Sequence, residues 1–411
     1  KERLQKSFGK KQGWKKLRAG TFHALCLSCL QEKGETGILI DDVEALEILR
    51  EIIKESGLKQ KPEQMQHVIS LFKTSGKSEG PKKPYQLKAE NKKPDFIAKE
   101  TILPDLKEGE LQIIEAYNHR LKEQGLWDYD DLLVETCRLL QQEKTGAVNI
   151  KQDLARKKSY NYLLVDEFQD INPIQYKLLK LWNQNGTQLF VIGDPDQSIY
   201  GFRGSSAACF EAFRTDYPML HEITLTQNYR STPEILAAAL PVISQNPGPK
   251  RILHPQNPKG PKVRLATAKS SEEEAAFLAG EIIRQIGGVD MLQAHEAAHT
   301  EEKERNRSFG DIAILYRTHR QAERIEQHLK QEGIPCIIGG KDPFLSNPTV
   351  RGTLCFFRHL LHPEDTRSKE ISLCLLFSNP EAYSKTAEKY GAEIQKTKPQ
   401  KLLTEWTSDL Q

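Results

Sequence analysis

Two short apolar runs, each followed directly by acidic or Gly-Asp residues, constrain this chain more than any other feature. They are Tyr162–Val165 and residues 188–192. Apolar runs of this length without polar alternation are typical of parallel strands covered on both faces, and the segment Pro173–Trp182 between them has helical spacing of apolar residues. The pattern predicts a βαβ unit. Ligands of open α/β sheets bind outside the carboxyl ends of the strands, so the polar residues after each run are candidate ligand-binding residues.

The composition of the chain excludes several classes of protein. A net charge of +3 with 28% charged residues gives no global field that favours nucleic acid, so such a partner must be argued from local residues. The 7 cysteines lack paired Cys-x-x-Cys motifs, which argues against a structural zinc and against a disulfide framework. No apolar run approaches the roughly 20 residues of a membrane span, and no signal peptide is visible. We therefore expect a cytoplasmic protein with no membrane partner.

Residues 32–110 differ in character from the segments around them. Helical patterns at 41–55 and 62–73 precede a stretch rich in Lys, Pro and Gly, which predicts a small helical insertion with a basic loop. Residues 75–78, Ser-Gly-Lys-Ser, resemble part of a phosphate-binding loop. However, the position where that motif needs its first glycine is Leu71, inside a helical pattern with no strand before it. We therefore do not interpret this stretch as a P-loop.

The residues beyond the two runs predict a second α/β layer. Apolar segments favour strands at residues 220–225, 263–267, 311–316 and 335–338, with helical patterns between them. The chain from residue 347 onward is predicted to be helical.

The acids after the first run fit the hydrolysis of a nucleoside triphosphate. That reaction needs a hard divalent cation held through oxygen and a group that orients or activates the attacking water. Asp166 can hold Mg²⁺ through its water shell, and Glu167 can address the water. Acids directly after a buried strand are expected to be partly desolvated and to need a partner.

Residues after the second run extend this chemistry. Gln197 can hydrogen-bond a γ-phosphate oxygen or the water without adding negative charge, and Arg230 can stabilise charge on a transferring phosphoryl group. Tyr200, Phe202 and Arg203 crowd the turn that follows. Aromatic side chains beside a cation form a stacking platform for single-stranded bases. Core packing is the alternative interpretation, and for Tyr200 it carries equal weight.

Two further groups have both a functional and a structural interpretation. Thr21 is a predicted helix N-cap, which places His23 in a first turn that favours phosphate, although a lone histidine there is more often structural. Asp128, Asp130 and Asp131 could bind a metal ion or could occupy a helix N-terminus, which favours carboxylates. We favour the helix N-terminus.

Taken in order, these motifs resemble those of the UvrD/Rep/PcrA family of DNA helicases. Asp-Glu-Phe-Gln-Asp at 166–170 looks like motif II of that family, and residues 193–204 and 227–232 look like motifs III and IV. The remaining matches are Thr-Phe-His-Ala at 21–24 with motif Ib, Asp-Tyr-Asp-Asp-Leu at 128–132 with an Asp-Phe-Asp-Asp-Leu segment, and residues 314–318 with the strand after motif IV.

The resemblance implies an α/β fold with two RecA-like (P-loop NTPase) domains, each with a parallel sheet, and a helical insertion in the first. The expected boundaries are residues 1–31 and 111–221 for an N-terminally truncated first domain, 32–110 for the insertion, 222–380 for a partial second domain, and 381–411 for a helical tail in which a further subdomain could begin. The resemblance also implies ATP bound between the domains and 3′-to-5′ movement on single-stranded DNA, with duplex junctions as further partners. It leaves the oligomeric state open.

The resemblance also assigns roles to single residues. It implies Asp166 for Mg²⁺, Glu167 as catalytic base, Gln197 and Arg230 at the γ-phosphate, and Tyr229 stacked on adenine. The residues implied to face DNA are Thr21, His23, Tyr200, Phe202 and Arg203. Phe202 stands where the family has a base-stacking Trp, and Gly201 stands where it has an Arg. Both departures weaken the expectation of strong base stacking.

Parts of the family's motor are not found in these 411 residues. The missing parts are the Walker A loop, the core of motif Ia, and motifs V and VI. Residues 1–4 resemble only the tail of motif Ia. Without a P-loop the β- and γ-phosphates lack their backbone cradle and lysine, so the chain as given is expected to bind ATP weakly and hydrolyse it negligibly. The alternatives are an ATPase-dead DNA-binding or scaffolding relative and a nuclease-coupled helicase subunit.

Overall fold

The computed structural model describes residues 17–75, 106–145, 160–183, 187–205, 208–246, 248, 251–286, 307–340, 347–377, 379–394, 402 and 406. The sequence interpretations at residues 1–4 and 76–78 fall outside these ranges. The chain divides into two compact units, Lys1–Leu225 and Thr226–Gln411. Within the described ranges, no helix is both long and apolar enough to cross a membrane.

The first unit combines helices with short parallel strands. Its α-helices are α1 (Phe22–Glu32), α2 (Asp42–Ser56), α3 (Pro62–Thr74), α4 (Glu108–Glu123), α5 (Tyr129–Thr145), α6 (Pro173–Trp182) and α7 (Ala208–Asp216). Its strands are β1 (Ile38–Leu39), β2 (Leu126–Trp127), β3 (Tyr162–Val165) and β4 (Gln188–Val191). Short 3₁₀ helices lie at Phe168–Asp170, Pro195–Gln197 and Gly201–Arg203.

The predicted βαβ unit is confirmed. β3 and β4 pair in parallel, with Tyr162 opposite Gln188 and Val165 opposite Val191, and α6 connects them. Helix α6 begins where the sequence signals predict, because Asn172 forms a capping box with Gln175 and Pro173 occupies the first turn.

The prediction that both faces of these strands are covered is wrong for the described residues. One face packs on α6 and α7 in a core of Val165, Phe168, Ile171, Tyr176, Leu179, Cys209, Ala212 and Phe213. On the other face Tyr162 is 67% exposed and Leu164 is 70% exposed. Side chains alternate between the two faces of a strand, so elements that lie on one face shield only every second residue. An apolar run does not reveal which element covers each face.

A separate core joins the predicted helical insertion to α4. Its buried residues, from α2, α3, α4, β1, β2 and the turn after β1, are Ile38, Ile40, Ala45, Ile48, Leu49, Ile52, Ile53, Met65, Ile69, Ile113, Ile114, Tyr117, Leu121 and Leu126. Helices α2 and α3 match the sequence patterns at 41–55 and 62–73 closely. Helix α4 runs across residue 110, where the sequence placed the end of the insertion.

The second unit is mainly helical. Its helices are α8 (Pro233–Ile243), α9 (Ser271–Gln285), α10 (His319–Gln331), α11 (Pro348–Leu361), α12 (Thr366–Leu376) and α13 (Pro380–Gly391). Strands β5 (Gln227–Asn228) and β6 (His254–Pro255) pair in parallel, and a 3₁₀ helix lies at Phe309–Asp311. The helical prediction after residue 347 is confirmed in the described part. There α11 and α13 pack around Phe356, whose ring stacks on Trp406 with 4.8 Å between centroids.

Four predicted strands have no strand ladder in the described chain: residues 220–225, 263–267, 311–316 and 335–338. Two of them nevertheless keep a strand-like alternation. In residues 311–316, Ile312 and Ile314 pack against the core of α9 and α10, whereas Leu315 is 95% exposed. In residues 335–338, Cys336 packs against the same core, whereas Ile337 is 97% exposed. Apolar periodicity therefore predicted which side chains face the core. It could not supply the neighbouring backbone that a strand needs for its hydrogen bonds.

Because β3 is buried on one side only, we expect polar substitutions to destabilise the protein to different extents at adjacent positions of the strand. Val165→Thr places a hydroxyl in the core and should lower the free energy of unfolding by about 1–3 kcal/mol. Leu164→Thr is the matched control on the exposed face, and we expect a change of about 0.5 kcal/mol or less. Urea denaturation of the two variants measures both values. Equal losses would show that both faces are buried in solution.

Candidate functional site

The polar residues after β3 and β4 leave the sheet side by side. The backbone ladder continues past the strand ends, because the Ile192 N–H donates to the Val165 carbonyl at 2.8 Å and the Phe168 N–H donates to the Ile192 carbonyl at 2.9 Å. Asp166 and Glu167 follow one strand directly. Both are exposed, so the expectation of partial desolvation is wrong: the chain turns outward immediately after Val165.

Glu167 has an unusual backbone. Among the described residues it is the non-glycine residue with a positive φ, at 51°. A side chain in this left-handed region costs roughly 1–2 kcal/mol, and such residues cluster at functional sites. Local hydrogen bonds hold the turn: the Glu167 N–H donates to Asp166 Oδ1 at 3.0 Å, and Gln169 Nε2 donates to Glu167 Oε2 at 2.7 Å. The carboxylate of Glu167 is thereby oriented at the edge of the sheet.

Gln169 connects the two strand ends. Its side chain donates to Glu167, and its Oε1 accepts a hydrogen bond from the Asp194 N–H at 3.0 Å. Its backbone carbonyl accepts from the Ser198 hydroxyl at 3.2 Å. Gln169 is only 3% exposed, so its side-chain amide cannot bond to water. These protein partners satisfy the amide instead. Sequence reasoning quoted Gln169 within its motif but missed this role, which depends on the register of β3 against β4.

Gly193 and Asp194 form the turn after β4. A Cβ at Gly193 would lie 2.8 Å from Gln169 Oε1 and 3.0 Å from Phe168 Cβ, so only glycine fits there. Asp194 caps the 3₁₀ turn, since its Oδ1 accepts from the Asp196 N–H at 3.0 Å. Gln197 Nε2 donates to Asp194 Oδ2 at 2.7 Å and lies exposed. The amide of Gln197 therefore lies beside Asp194, at the same sheet edge as Glu167.

The aromatic residues after this turn project into solvent. Phe202 is 60% exposed and Tyr200 is 39% exposed, with 6.0 Å between their ring centroids. Core packing, the alternative interpretation for both, is therefore not what the structure has. The backbone of Arg203 belongs to the last 3₁₀ helix, but its side chain falls outside what the structure describes.

The predicted cap at the start of α1 is confirmed. Thr21 Oγ1 accepts a hydrogen bond from the Ala24 N–H at 3.3 Å, which places His23 in the first turn. The His23 ring meets the Tyr129 ring edge-to-face at 6.3 Å. Burial lowers the pKa of His23, so the imidazole is neutral at pH 7 and can offer a hydrogen bond but no charge to a phosphate.

The acids at the start of α5 have the structural role that we favoured. Asp128 Oδ1 accepts from the Asp131 N–H at 2.9 Å, and Asp131 Oδ2 accepts from the Asp128 N–H at 3.0 Å, a reciprocal cap of the helix. The sequence analysis did not predict which positively charged side chain pairs with these acids. Lys73 Nζ lies 2.7 Å from Asp128 Oδ2 and 2.6 Å from Asp131 Oδ1, with 6% of its side chain exposed. In the described ranges no three His, Cys, Asp or Glu side chains are grouped to hold a metal ion.

Tyr229 and Arg230 belong to the second unit. They follow β5 in a turn that Asn228 organises, because its Oδ1 accepts from the N–H groups of Arg230 at 3.1 Å and Ser231 at 2.8 Å. Tyr229 is 70% exposed and donates its hydroxyl hydrogen bond to Gln227. The N-cap residue of α8 is Thr232, whose side chain makes no capping hydrogen bond.

Fold and site together define an α/β protein with carboxylate and amide groups at the carboxyl ends of a parallel sheet. The model of the UvrD/REP helicase N-terminal domain matches residues 1–218, and that of the UvrD-like helicase C-terminal domain matches residues 223–393. The chain belongs to the UvrD/REP helicase family, whose domains are RecA-like.

Similar proteins from several bacteria are named ATP-dependent DNA helicases. The chain is 32% identical to the ATP-dependent DNA helicase Rep of Escherichia coli K12 over 380 residues, which are 89% of this chain and 50% of that protein. It is 28% identical to the ATP-dependent DNA helicase PcrA of Leuconostoc citreum over 358 residues, 85% of this chain and 43% of that protein. The chain thus spans about half the length of the curated relatives that it matches.

The tight turn at Gly193 predicts a selective cost for a methyl group. Gly193→Ala should lower the free energy of unfolding by about 1–3 kcal/mol, because the new Cβ overlaps Gln169 and Phe168. Gly201→Ala is the matched control in the neighbouring loop, where a Cβ meets no atom within 4 Å. Urea denaturation of the two variants provides the comparison. An unchanged stability for Gly193→Ala would contradict the closeness of the two strand ends.

The acids around Lys73 predict a pH dependence. Burial, and after it the charge of Asp128, raises the pKa of Asp130 to about 6. The folded chain then binds more protons than the unfolded chain between the ordinary pKa and about 6, so stability falls as pH rises through about 6. When the pH is lowered from about 8 to about 5.5, the free energy of unfolding of the wild type should rise by about 1 kcal/mol more than that of Asp130→Asn. Urea denaturation at the two pH values measures this difference, and equal pH profiles would contradict the assignment.

Proposed function

We propose that this chain is part of an ATP-dependent DNA helicase or translocase that moves 3′ to 5′ on single-stranded DNA. In this proposal two RecA-like domains bind ATP between them, with the helical insertion in the first. The observation that carries the proposal is the turn after β3, where Glu167 adopts a left-handed backbone and Gln169 ties its carboxylate to the end of β4. Such a turn, at the carboxyl edge of a parallel sheet, suits a group that must be oriented before it reacts.

Asp166 is the proposed ligand of Mg²⁺. Its carboxylate is exposed directly after β3. Carboxylate oxygens suit a hard cation such as Mg²⁺, which proteins often bind through one or two carboxylates and water. When bound, the ion would neutralise charge on the β- and γ-phosphates. Asp166 Oδ1 also accepts from the Glu167 N–H, so the metal ligand and the neighbouring base share one rigid turn.

Glu167 is the proposed catalytic base. It would accept a proton from the attacking water while the bond from the γ-phosphorus to the leaving oxygen breaks. Gln169 holds Oε2, which orients the carboxylate so that Oε1 can face the water. Gln197 would exchange its hydrogen bond with Asp194 for one with the γ-phosphate or the water. Arg230 would stabilise the charge on the phosphoryl group, and Tyr229, exposed beside it, would stack on adenine.

The proposed DNA contacts lie in the first unit. Exposed Phe202 and Tyr200 would stack on bases, each stacked base contributing about 1–3 kcal/mol. Thr21 and neutral His23, at the start of α1, would bind backbone phosphate, and Arg203 would add a cation. Single-stranded DNA and duplex junctions are the proposed partners, and the relatives Rep and PcrA are named as DNA helicases.

The 411 residues contain no Gly-x-x-x-x-Gly-Lys motif. Since that loop supplies the backbone cradle and the lysine for the phosphates, we propose that the chain by itself binds ATP weakly and hydrolyses it negligibly. An ATPase-dead DNA-binding or scaffolding protein is the alternative. Retention of both acids, in an oriented turn, favours the hydrolytic function, because a protein that only binds DNA has no chemical need for them.

The experiment that tests the function compares two proteins with and without single-stranded DNA. The 411-residue chain alone should show no DNA-stimulated release of phosphate from ATP, whereas a polypeptide that joins it to a Walker A segment should show such release. In the active polypeptide, Glu167→Gln should lower turnover at least about 100-fold while ATP and DNA binding persist, because the amide cannot accept the proton.

Normal turnover by Glu167→Gln would refute the assignment of the base. Robust hydrolysis by the 411-residue chain alone would refute the proposed need for a Walker A loop. Lack of DNA-stimulated hydrolysis in the joined polypeptide would favour the ATPase-dead alternative.

A further inference from the structure

We propose that Lys73, through its ion pairs with Asp128 and Asp131, is the positioning residue for the DNA-stacking loop, residues 200–204. This inference rests on the proposed DNA contacts of that loop. Lys73 itself would touch neither DNA nor nucleotide. It would act through helix α3, whose last turn supports the loop from behind.

Two ion pairs anchor the last turn of α3. Lys73 lies in its last turn, and the ammonium group contacts Asp128 and Asp131 at 2.7 and 2.6 Å. Its Nζ also lies 5.2 Å from the centre of the Tyr117 ring of α4, and the Tyr117 hydroxyl donates to Asp128 Oδ2 at 3.2 Å. Burial alone would lower the pKa of Lys73, but the two carboxylates outweigh it and raise that pKa. Lys73 is therefore charged, and three helices, α3, α4 and α5, meet at this one group.

The last turn of α3 lies against the end of the loop. Gly204 ends the loop with φ at 82°, and a Cβ placed on it would lie 3.3 Å from Thr74 Oγ1 and 3.4 Å from Leu71 Cδ2. Thr74 directly follows Lys73 and is buried. The backbone of the loop thus rests on the same helical turn that Lys73 anchors, while Phe202 and Tyr200 point into solvent.

The same anchor also lies next to His23. In the sequence, Tyr129 lies between the two acids that bind Lys73. Its ring contacts the His23 ring, with 6.3 Å between the ring centroids. The turn at residues 128–131 therefore touches one proposed DNA residue directly and supports two others through α3. A single buried ion-pair cluster relates the positions of both proposed DNA-contacting segments.

The energetics make the anchor sensitive to a single change. Removal of one partner from a buried ion pair leaves uncompensated charge, which is far more disruptive than the pair itself is stabilising. Without Lys73, Asp128 and Asp131 would repel each other across the helix cap and draw in water. The last turn of α3 would then lose its contact with α5, and the loop would lose its support.

The experiment uses the 411-residue chain and two readouts. Binding of a fluorescein-labelled oligothymidylate of about 16 nucleotides, followed by anisotropy, reports on DNA affinity. Amide hydrogen exchange in the peptide around residues 200–204 reports on the loop without DNA. For Lys73→Met we expect about fivefold to tenfold weaker binding and about tenfold faster exchange in the loop.

A double-mutant comparison separates positioning from general destabilisation. Phe202→Ala should weaken binding about tenfold, and adding Lys73→Met to it should cause little further loss, because both changes act on the same stacking contact. The matched control is Arg358→Met, which breaks a partly buried ion pair in the second unit, Arg358 with the buried Asp365 at 2.9 Å. It should lower the unfolding midpoint without changing either readout.

Wild-type affinity and wild-type exchange in folded Lys73→Met would overturn the proposal. Equal losses in Arg358→Met would also overturn it, since they would show a general effect of stability. If Lys73→Met does not fold, the variant that combines it with Asp128→Asn and Asp131→Asn removes the buried charges together, and the same readouts decide. A wild-type chain that binds no oligonucleotide would refute the proposed DNA function, whereas the exchange rates would still show whether Lys73 holds the loop.

Discussion

The parallel ladder between β3 and β4 is the constraint on which the candidate site depends. The ladder continues beyond the last strand residues through the Ile192 and Phe168 amides. The two segments therefore separate only after Asp166 and Asp194 have been brought to one edge of the sheet. The turn geometry then follows from sterics. Gly193 leaves room for the Gln169 side chain, and Gln169 holds Glu167 in its left-handed conformation. A shift of one residue in register would separate these partners, because side chains alternate in direction along a strand.

A second constraint, the buried cluster at Lys73, organises the other half of the first unit. Buried carboxylates and a buried ammonium are costly unless they satisfy each other, so their positions are tightly specified. The cluster joins the helical insertion to the start of α5, next to the residues proposed to contact DNA. In the proposed function, the acids Asp166 and Glu167 and the DNA-binding residues are thus held by two different kinds of interaction, a backbone ladder and a group of charges. Both lie within one compact unit.

Sequence reasoning succeeded where local signals and chemistry coincide. The capping residue Thr21, the helices α2 and α3, and the βαβ unit around α6 were all predicted from residues close to each other in the chain. It failed where the outcome depends on distant neighbours. The apolar segment 263–267 has strand composition, yet Leu265 is 95% exposed, and the segment has no ladder within the described chain. Composition sets a preference for extended backbone, but only a neighbouring strand makes a sheet.

By itself, the sequence determined the family of the chain, the βαβ unit and the identity of the acids at its strand end. These features depend on short-range order, since apolar periodicity, caps and motif spacing are written in consecutive residues. Only the tertiary structure decided that Gln169 bridges two strand ends, that Phe202 is exposed, and that Lys73 is the buried partner of Asp128 and Asp131. These pairs are separated by 25 residues in the first case and by 55 and 58 in the last. Contacts over such separations are selected by packing and by the cost of unpaired buried charge, neither of which any single segment encodes.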